Sequence, residues 1–213
     1  MDSLSLLLAD ARLPTGGHAQ SGGLEPALLA GLRPDEIEGL LRTRLRTNVP
    51  VDAGTAVVVV STSTVTEVET VVDAWNARVP SEVVRAVSYR AARGYLRLGA
   101  RVGLDARWAR RADLPRPVAL GLLARHWRLR PTDTARVVCH DEIQTVAAAA
   151  LKLAPLDPLD TVQWVLQLRP EVDAVVDAVA ALTDPDDIPA ATAPLLEQWQ
   201  HTHPTHPRRL FHA

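Results

Sequence analysis

Between Ser81 and Val102 the sequence runs without a proline, and Val84, Val87, Ala91, Tyr95, Leu98 and Val102 recur at intervals of three and four. That spacing places them on one side of an α-helix and predicts a buried stripe. Arg90, Arg93, Arg97 and Arg101 repeat at the same intervals along another face. Gly94 and Gly99 interrupt the helix, each at a cost of about 1 kcal/mol relative to Ala, so close helix contacts are expected there. The rest of the chain favours the same class of structure. Apolar residues make up 47% of it but aromatics only 4%, and Ala, Leu and Val suit packed helices better than aromatic-rich strands.

At 213 residues a chain buries about 70% of the surface exposed when unfolded, enough for one sizeable core. The expectation is a single-domain, all-α bundle of about nine to eleven helices over 1–213. The tail from 202 to 213, rich in Pro and His, has a composition that leaves it flexible.

In chain order, Ser3 to Ala11 reads as a short apolar helix stopped before Pro14. The loop Leu13 to Glu25, LPTGGHAQSGGLE, holds Gly16, Gly17, Gly22 and Gly23 and permits positive φ or close backbone approach. Ser21 is a candidate N-cap for the next helix, with Glu25 in its first turn and Gly31 just past its end. Pro34-Asp35-Glu36 opens a third helix, which Asn48 and Pro50 are expected to end. Val57 to Val60 has the local propensity of a strand, yet no hairpin partner lies nearby and both flanks are helical, so it is read as helix. Further helices are expected over 66–77, 118–129, 131–150, 157–170, 173–182 and 194–201, with Pro170 ending or kinking one of them.

No stretch approaches the ~18 apolar residues of a membrane span, and Met1-Asp2-Ser3 lacks the basic start of a secretory signal, which predicts a soluble, cytoplasmic protein. The one cysteine, Cys139, rules out an internal disulfide and reads as a small buried hydrophobe. Charge is unevenly distributed. From Arg85 to Arg136 thirteen arginines face three aspartates, whereas from Val137 onwards four basic residues face eleven acidic ones. The Arg face of Ser81 to Val102 therefore suits solvent, an acidic protein or, as an alternative, nucleic acid in the manner of a helical regulator.

Several constellations resemble catalytic sites and are weighed on geometry. The glycine loop lacks the Lys-Ser/Thr end of a phosphate-binding loop and follows a helix rather than a strand. Ser21, His18 and Glu25 offer hydrolase residue types, but residues so close in sequence rarely align as nucleophile, base and acid. Cys139 and His140 are adjacent on a helix and point apart. His201, His203, His206 and His212 could catch a metal loosely, which leaves a metal-dependent enzyme using this tail as a further alternative.

Three stretches carry a resemblance. Leu6 to Leu28, LLLADARLPTGGHAQSGGLEPAL, resembles the N-terminal signature of the urease accessory UreF family, matching at Pro14, Gly16, Ser21, Gly23, Leu24 and Glu25. Ala147 to Leu156, AAAALKLAPL, is similar to the family's Ala-Ala-x-x-Leu-x-Pro-Leu helix end, and Arg209-Leu210-Phe211 resembles its closing Arg-Leu-Phe. The loop departs from the family at His18, Gln20 and Gly22, and Asp157-Pro158-Leu159-Asp160 stands where the family often has Gly-Gln, as in a divergent branch.

The resemblance implies an all-helical homodimer without catalytic or metal-ligating residues, which binds neither nucleic acid nor membrane. Its implied partners are UreD (also called UreH), the GTPase UreG and apo-urease, with nickel handled by the complex and GTP bound by UreG. The implied partner-binding residues are Pro14, Gly16, Gly17, His18, Gln20, Ser21, Gly23, Glu25, Arg209, Leu210 and Phe211. Helices carrying Gly94 and Gly99 could supply a dimer seam.

Overall fold

The computed structural model describes residues 3–10, 12–15, 17–202 and 210–211 and, of His18, the backbone alone. Among these residues there are twelve α-helices, three single 3-10 turns and no strand. The helices are α1 (Ser3–Leu8), α2 (Leu24–Leu29), α3 (Ile37–Arg46), α4 (Asn48–Ser61), α5 (Val65–Arg78), α6 (Glu82–Arg101), α7 (Ala106–Ala109), α8 (Arg116–His126), α9 (Pro131–Leu153), α10 (Pro158–Gln167), α11 (Arg169–Val179) and α12 (Pro194–Thr202). The expected all-α architecture is present, and the four-residue α7 is the helix the periodicity did not reveal.

The core is organised around α4. This helix packs most extensively on α8 and α9 and also touches α3, α5 and α11. Val49, Val51, Ala53, Ala56, Val57, Val58 and Val59 are all buried, so α4 is apolar over most of its surface, Asp52 apart, as suits a central helix. This explains why Val57 to Val60 is helical despite its strand propensity. β-branching costs at most about 0.7 kcal/mol per residue in a helix, whereas complete burial of a Val stabilises by about 1.5–3 kcal/mol.

Local signals set most of the boundaries. Thr64 and Glu67 close a reciprocal capping box at the start of α5, Ser81 caps α6, and Asp157 and Asp160 do the same for α10. Gly31, at φ +102, follows the end of α2 as expected. Three boundaries differ from the sequence reading. Asn48 and Pro50 do not end α3; a sharp turn at Thr47 separates the helices, and both residues fall in the first turn of α4, where a proline costs no helical hydrogen bond. Pro170 likewise opens α11 instead of kinking α10. The N-cap of α2 is Gly23, not Ser21.

The stripe on α6 is shifted from its expected position. Its fully buried residues are Ser88, Ala91, Ala92, Gly94, Tyr95, Leu96 and Gly99, while Val84, Val87 and Leu98 are half-buried and Val102 is exposed. Small residues replace large ones at the helix contact, which lets α6 sit close to α8. Gly94 and Gly99 are both occupied from within the chain, by Thr15 and Leu104 respectively, so neither is free to form a dimer seam.

Gly121 of α8 marks the close approach of α8 to α4 in the core. A methyl group there would lie 2.6 Å from the Ala56 carbonyl oxygen and 2.8 Å from Val59 Cβ. Gly39 of α3 has nothing within 4 Å. Opposite effects are therefore expected. Gly121→Ala should destabilise by about 1–3 kcal/mol, lowering Tm by about 2–4 °C per kcal/mol, whereas Gly39→Ala should stabilise by about 0.4–1 kcal/mol. Thermal melts in which both variants rise would contradict the α4–α8 contact.

Candidate functional site

The glycine loop is built for packing against its own chain. After α1 the backbone turns at Leu13 to Thr15, makes a 3-10 turn at Gly17–Ala19 and enters α2 through Gly22 and Gly23, both left-handed at φ +60 and +83. A side chain at Gly22 would strike Val146 of α9, and one at Gly23 would strike Gln200 of α12. Thr15 rests directly on Gly94, where a methyl group would come within 2.3 Å of the Thr15 carbonyl oxygen. The loop is thus seated on α6, α9 and α12. These glycines serve close internal contacts rather than leaving backbone open to a partner; Gly17, with nothing within 4 Å, is the exception.

Ser21 and Glu25 organise the end of this loop. Ser21 is fully buried, and its Oγ accepts the Glu25 N–H at 3.3 Å, so it still supports the helix start although Gly23 is the cap. Glu25 is 5% exposed. Its carboxylate accepts the backbone N–H groups of Leu210 at 2.7 Å and Phe211 at 3.1 Å, one on each oxygen. Hydrogen bonds to a charged acceptor are about twice as strong as neutral ones. Phe211 is buried, and the Lys152 ammonium lies 5.3 Å from its ring centre, within cation–π range. Leu210 remains 71% exposed. The three stretches noted in the sequence, around residues 25, 152 and 211, therefore meet at one place.

Of the sequence-predicted site residues, Glu25, Leu210 and Phe211 are brought together, with Ser21 and Gly23 directly behind them. Pro14 and Gln20 lie along the loop, partly or fully accessible. Gly16, Arg209, His203, His206, His212 and the side chain of His18 lie outside the described residues. The Ser21, His18 and Glu25 trio does not form a hydrolase arrangement: the Ser21 hydroxyl is enclosed, and both Glu25 oxygens hold backbone N–H groups. The Cys139 thiol is buried, and burial pushes its pKa up to about 12. Among the described residues no group of three His, Cys, Asp or Glu is placed to hold a metal ion.

Beneath the loop lies a charge cluster that the sequence did not reveal. Arg116, at the start of α8, pairs with Asp52 of α4 at 3.2 Å and with Asp141 and Glu142 of α9 at 2.8 and 3.5 Å. Arg44 of α3 pairs with Glu142, Trp75 Nε1 donates to Asp52 at 2.8 Å, and the Tyr95 hydroxyl donates to Asp141 at 3.3 Å. The cluster borders a cavity of about 90 Å³ that Gln20, Gly22 and Gly23 of the loop also line. Periodicity could not have found these residues, since their partners are distant in sequence; a charged residue inside an otherwise apolar helix, as Asp52 is in α4, is the available signal.

The electrostatics follow from three carboxylates facing two guanidiniums. Burial alone would lower the pKa of Arg116, but Asp141, Asp52 and Glu142 outweigh it and raise it. Burial would raise that of Glu142, yet Arg44 and Arg116 bring it below the ordinary value. Asp141 is the residue left in excess: burial raises its pKa, and Arg116 offsets this only in part. A carboxyl group whose pKa is raised on folding contributes its stability below the unfolded value, here 3.8, and loses it as pH rises through the folded value.

Two experiments follow. Arg116→Met should destabilise by about 3–5 kcal/mol because it strands buried carboxylates, whereas Asp141→Asn should be neutral or stabilising at pH 7 and lose that advantage below the carboxylate range; denaturant melts across pH measure both. Glu25→Ala should abolish amide-exchange protection at Leu210 and Phe211 while leaving α4 protected, a selective loss of about 1.5–3 kcal/mol per charged hydrogen bond. Retained protection at 210 and 211 would refute the contact.

Comparison with known proteins agrees with the sequence resemblance. The profile of the UreF family matches residues 33–169. Over its whole length the chain is similar to proteins named urease accessory protein UreF: 36% identical to that of Mycobacterium sp. (strain JLS), covering 97% of this chain and 96% of the relative. Identity is 35% to that of Mycolicibacterium vanbaalenii and 33% to that of Mycobacterium tuberculosis (strain H37Rv), each over 99% of both chains. The family profile stops short of the glycine loop and of Leu210-Phe211, which only the full-length relatives span. An all-helical chain matched by the family profile over its central helices and by full-length relatives from end to end belongs to the UreF family.

Proposed function

We propose that this chain is a urease accessory protein that acts as a scaffold without catalysis of its own, linking UreD (UreH) and the GTPase UreG to apo-urease and gating GTP-dependent nickel delivery. The observation that carries this reading is the meeting of Glu25, Lys152 and Phe211, three positions drawn from family-like stretches that span nearly the whole chain. The residues there are engaged in holding backbone, as suits a docking surface whose shape must be kept. Leu210 offers an exposed apolar side chain at that point, and Gln20 and Pro14 lie on the same loop. Under this reading Arg209 and the loop at Gly16, Gly17 and His18 extend the partner-binding face, and the working form is a homodimer in the cytoplasm. No helix among the described residues is long and apolar enough to cross a membrane. Nickel and GTP belong to the assembled complex, GTP on UreG.

Co-purification tests the reading. The purified chain should bring down UreD, and with UreD present should recruit UreG in a GTP-dependent manner, with no hydrolase activity of its own. Glu25→Ala should weaken capture of UreD about tenfold or more, in keeping with the loss of a central contact, with far-UV circular dichroism unchanged. Failure of soluble UreD to be captured by the soluble wild-type chain would sink the proposal.

A further inference from the structure

Most of the described arginines have partners within the chain, while Arg110, Arg128 and Arg169 are exposed without an ion pair, as are four on α6. Arg12, Arg33, Arg42, Arg44, Arg46, Arg85, Arg107, Arg111, Arg116, Arg130 and Arg136 each pair with a carboxylate, and Arg78 and Arg125 donate to backbone carbonyl oxygens. Arg90, Arg93, Arg97 and Arg101 are all exposed, and none has an ion pair among the described residues. They stand in single file along α6, opposite the face that packs on α8, in a helix whose one carboxylate is Glu82 in the first turn. At α6's C-terminal end the stripe gains another cation. The His126 ring bonds the Val102 carbonyl oxygen at 3.0 Å, tying the end of α8 beside the end of α6, and exposed Arg128 follows two residues later.

Such a file is unfavourable when left alone, because like charges three and four residues apart repel and only Arg101 lies close enough to the C-terminal end to gain from the helix dipole. We infer that this face of α6 is a docking surface for an acidic α-helix of a partner protein. The fit is geometric as well as electrostatic. Carboxylates at three- and four-residue spacing on a facing helix recur with the same rise as these guanidiniums, which extend over about 17 Å, and each Arg can take a carboxylate through two parallel N–H donors. Ala86 and Ala100, exposed at the two ends of the same face, leave room for a close approach.

Nucleic acid fits less well. Stacking of bases needs accessible aromatic rings, but Tyr95 and Trp108 are buried and Tyr89 is half-buried with its hydroxyl bonded to Asn76. The chain as a whole is also slightly acidic. This surface borders the loop at Gly94, on which Thr15 rests, and the inference does not require the scaffold role to be correct.

Fluorescence anisotropy with the full chain tests it, using a labelled Ala/Glu helical peptide of about twenty residues with Glu at three- and four-residue spacing, its Gln counterpart, and a duplex DNA of similar length. The Glu peptide should bind and weaken as salt rises, and the Gln peptide should not bind. Arg93→Ala/Arg97→Ala should reduce affinity about tenfold or more, Arg93→Lys/Arg97→Lys should restore part of it, and Arg169→Ala, at an exposed arginine on α11, should leave it unchanged. Circular dichroism of each variant confirms folding. Three results would overturn the inference: no binding of the Glu peptide, equal binding by the Arg93→Ala/Arg97→Ala protein, or DNA bound as tightly as the peptide with the same dependence on Arg93 and Arg97, which would make the face a nucleic-acid surface.

Discussion

The Arg116 guanidinium is the point on which the arrangement of helices turns. Through Asp52, Asp141 and Glu142 it binds α8 to α4 and α9; through the same carboxylates it is coupled to Arg44 on α3, Trp75 on α5 and Tyr95 on α6. Its backbone N–H is used as well, donating to Ser88 Oγ at 2.9 Å. A buried cluster of this kind adds little net stability, because desolvation offsets the attraction. Its contribution is selective. Apolar surfaces on α4, α8 and α9 could slide past one another with modest change in buried area, whereas a helix shift of one turn would leave several charges unpaired in an apolar interior, at high cost.

The glycine loop depends on that fixed geometry. It crosses α9 where Glu142 and Val146 lie and rests on α6 at Gly94, so its path is dictated by helices already held by the cluster. Gly22 is required there twice over, for positive φ and for lack of a side chain against Val146, and Gly23 for its positive φ. Once the loop is placed, α2 begins where Glu25 can reach the N–H groups of residues 210 and 211. The two ends of the chain are thereby joined through one carboxylate, and Lys152 at the end of α9 closes over Phe211 from another side. Core, loop and terminus form a dependent series, with the interior ion cluster first.

Much of this architecture was legible in the sequence, for reasons that can be stated residue by residue. Thr64, Ser81 and Asp157 act locally, through hydrogen bonds that reach two or three residues along the chain, and so their helix starts were readable. Pro50 and Pro170 are ambiguous in the sequence because a proline tolerated in a first turn and a proline that ends a helix look alike without the preceding residue's geometry; Thr47 and Leu168 decide the matter. The family-like stretches were visible, but their meeting was not, since nothing in the neighbourhood of Glu25 indicates a bond to residues 210 and 211. The ion cluster was hidden for the same reason. Gly94 was recognised as a close contact, and the neighbour turned out to be the loop itself rather than a second protomer.

The distribution of arginine binds these observations together. Where an arginine is needed inside, as at positions 44 and 116, carboxylates from other helices meet it, and some surface arginines are met by a near neighbour in sequence, as Arg107 is by Asp105 and Arg111 by Asp113. Of the seven described arginines without a partner, four are concentrated on one face of one helix, whose opposite face is occupied by α8 and whose Gly94 carries the loop. The same helix thus links the interior that fixes the fold to a surface whose charge no ion pair among the described residues neutralises.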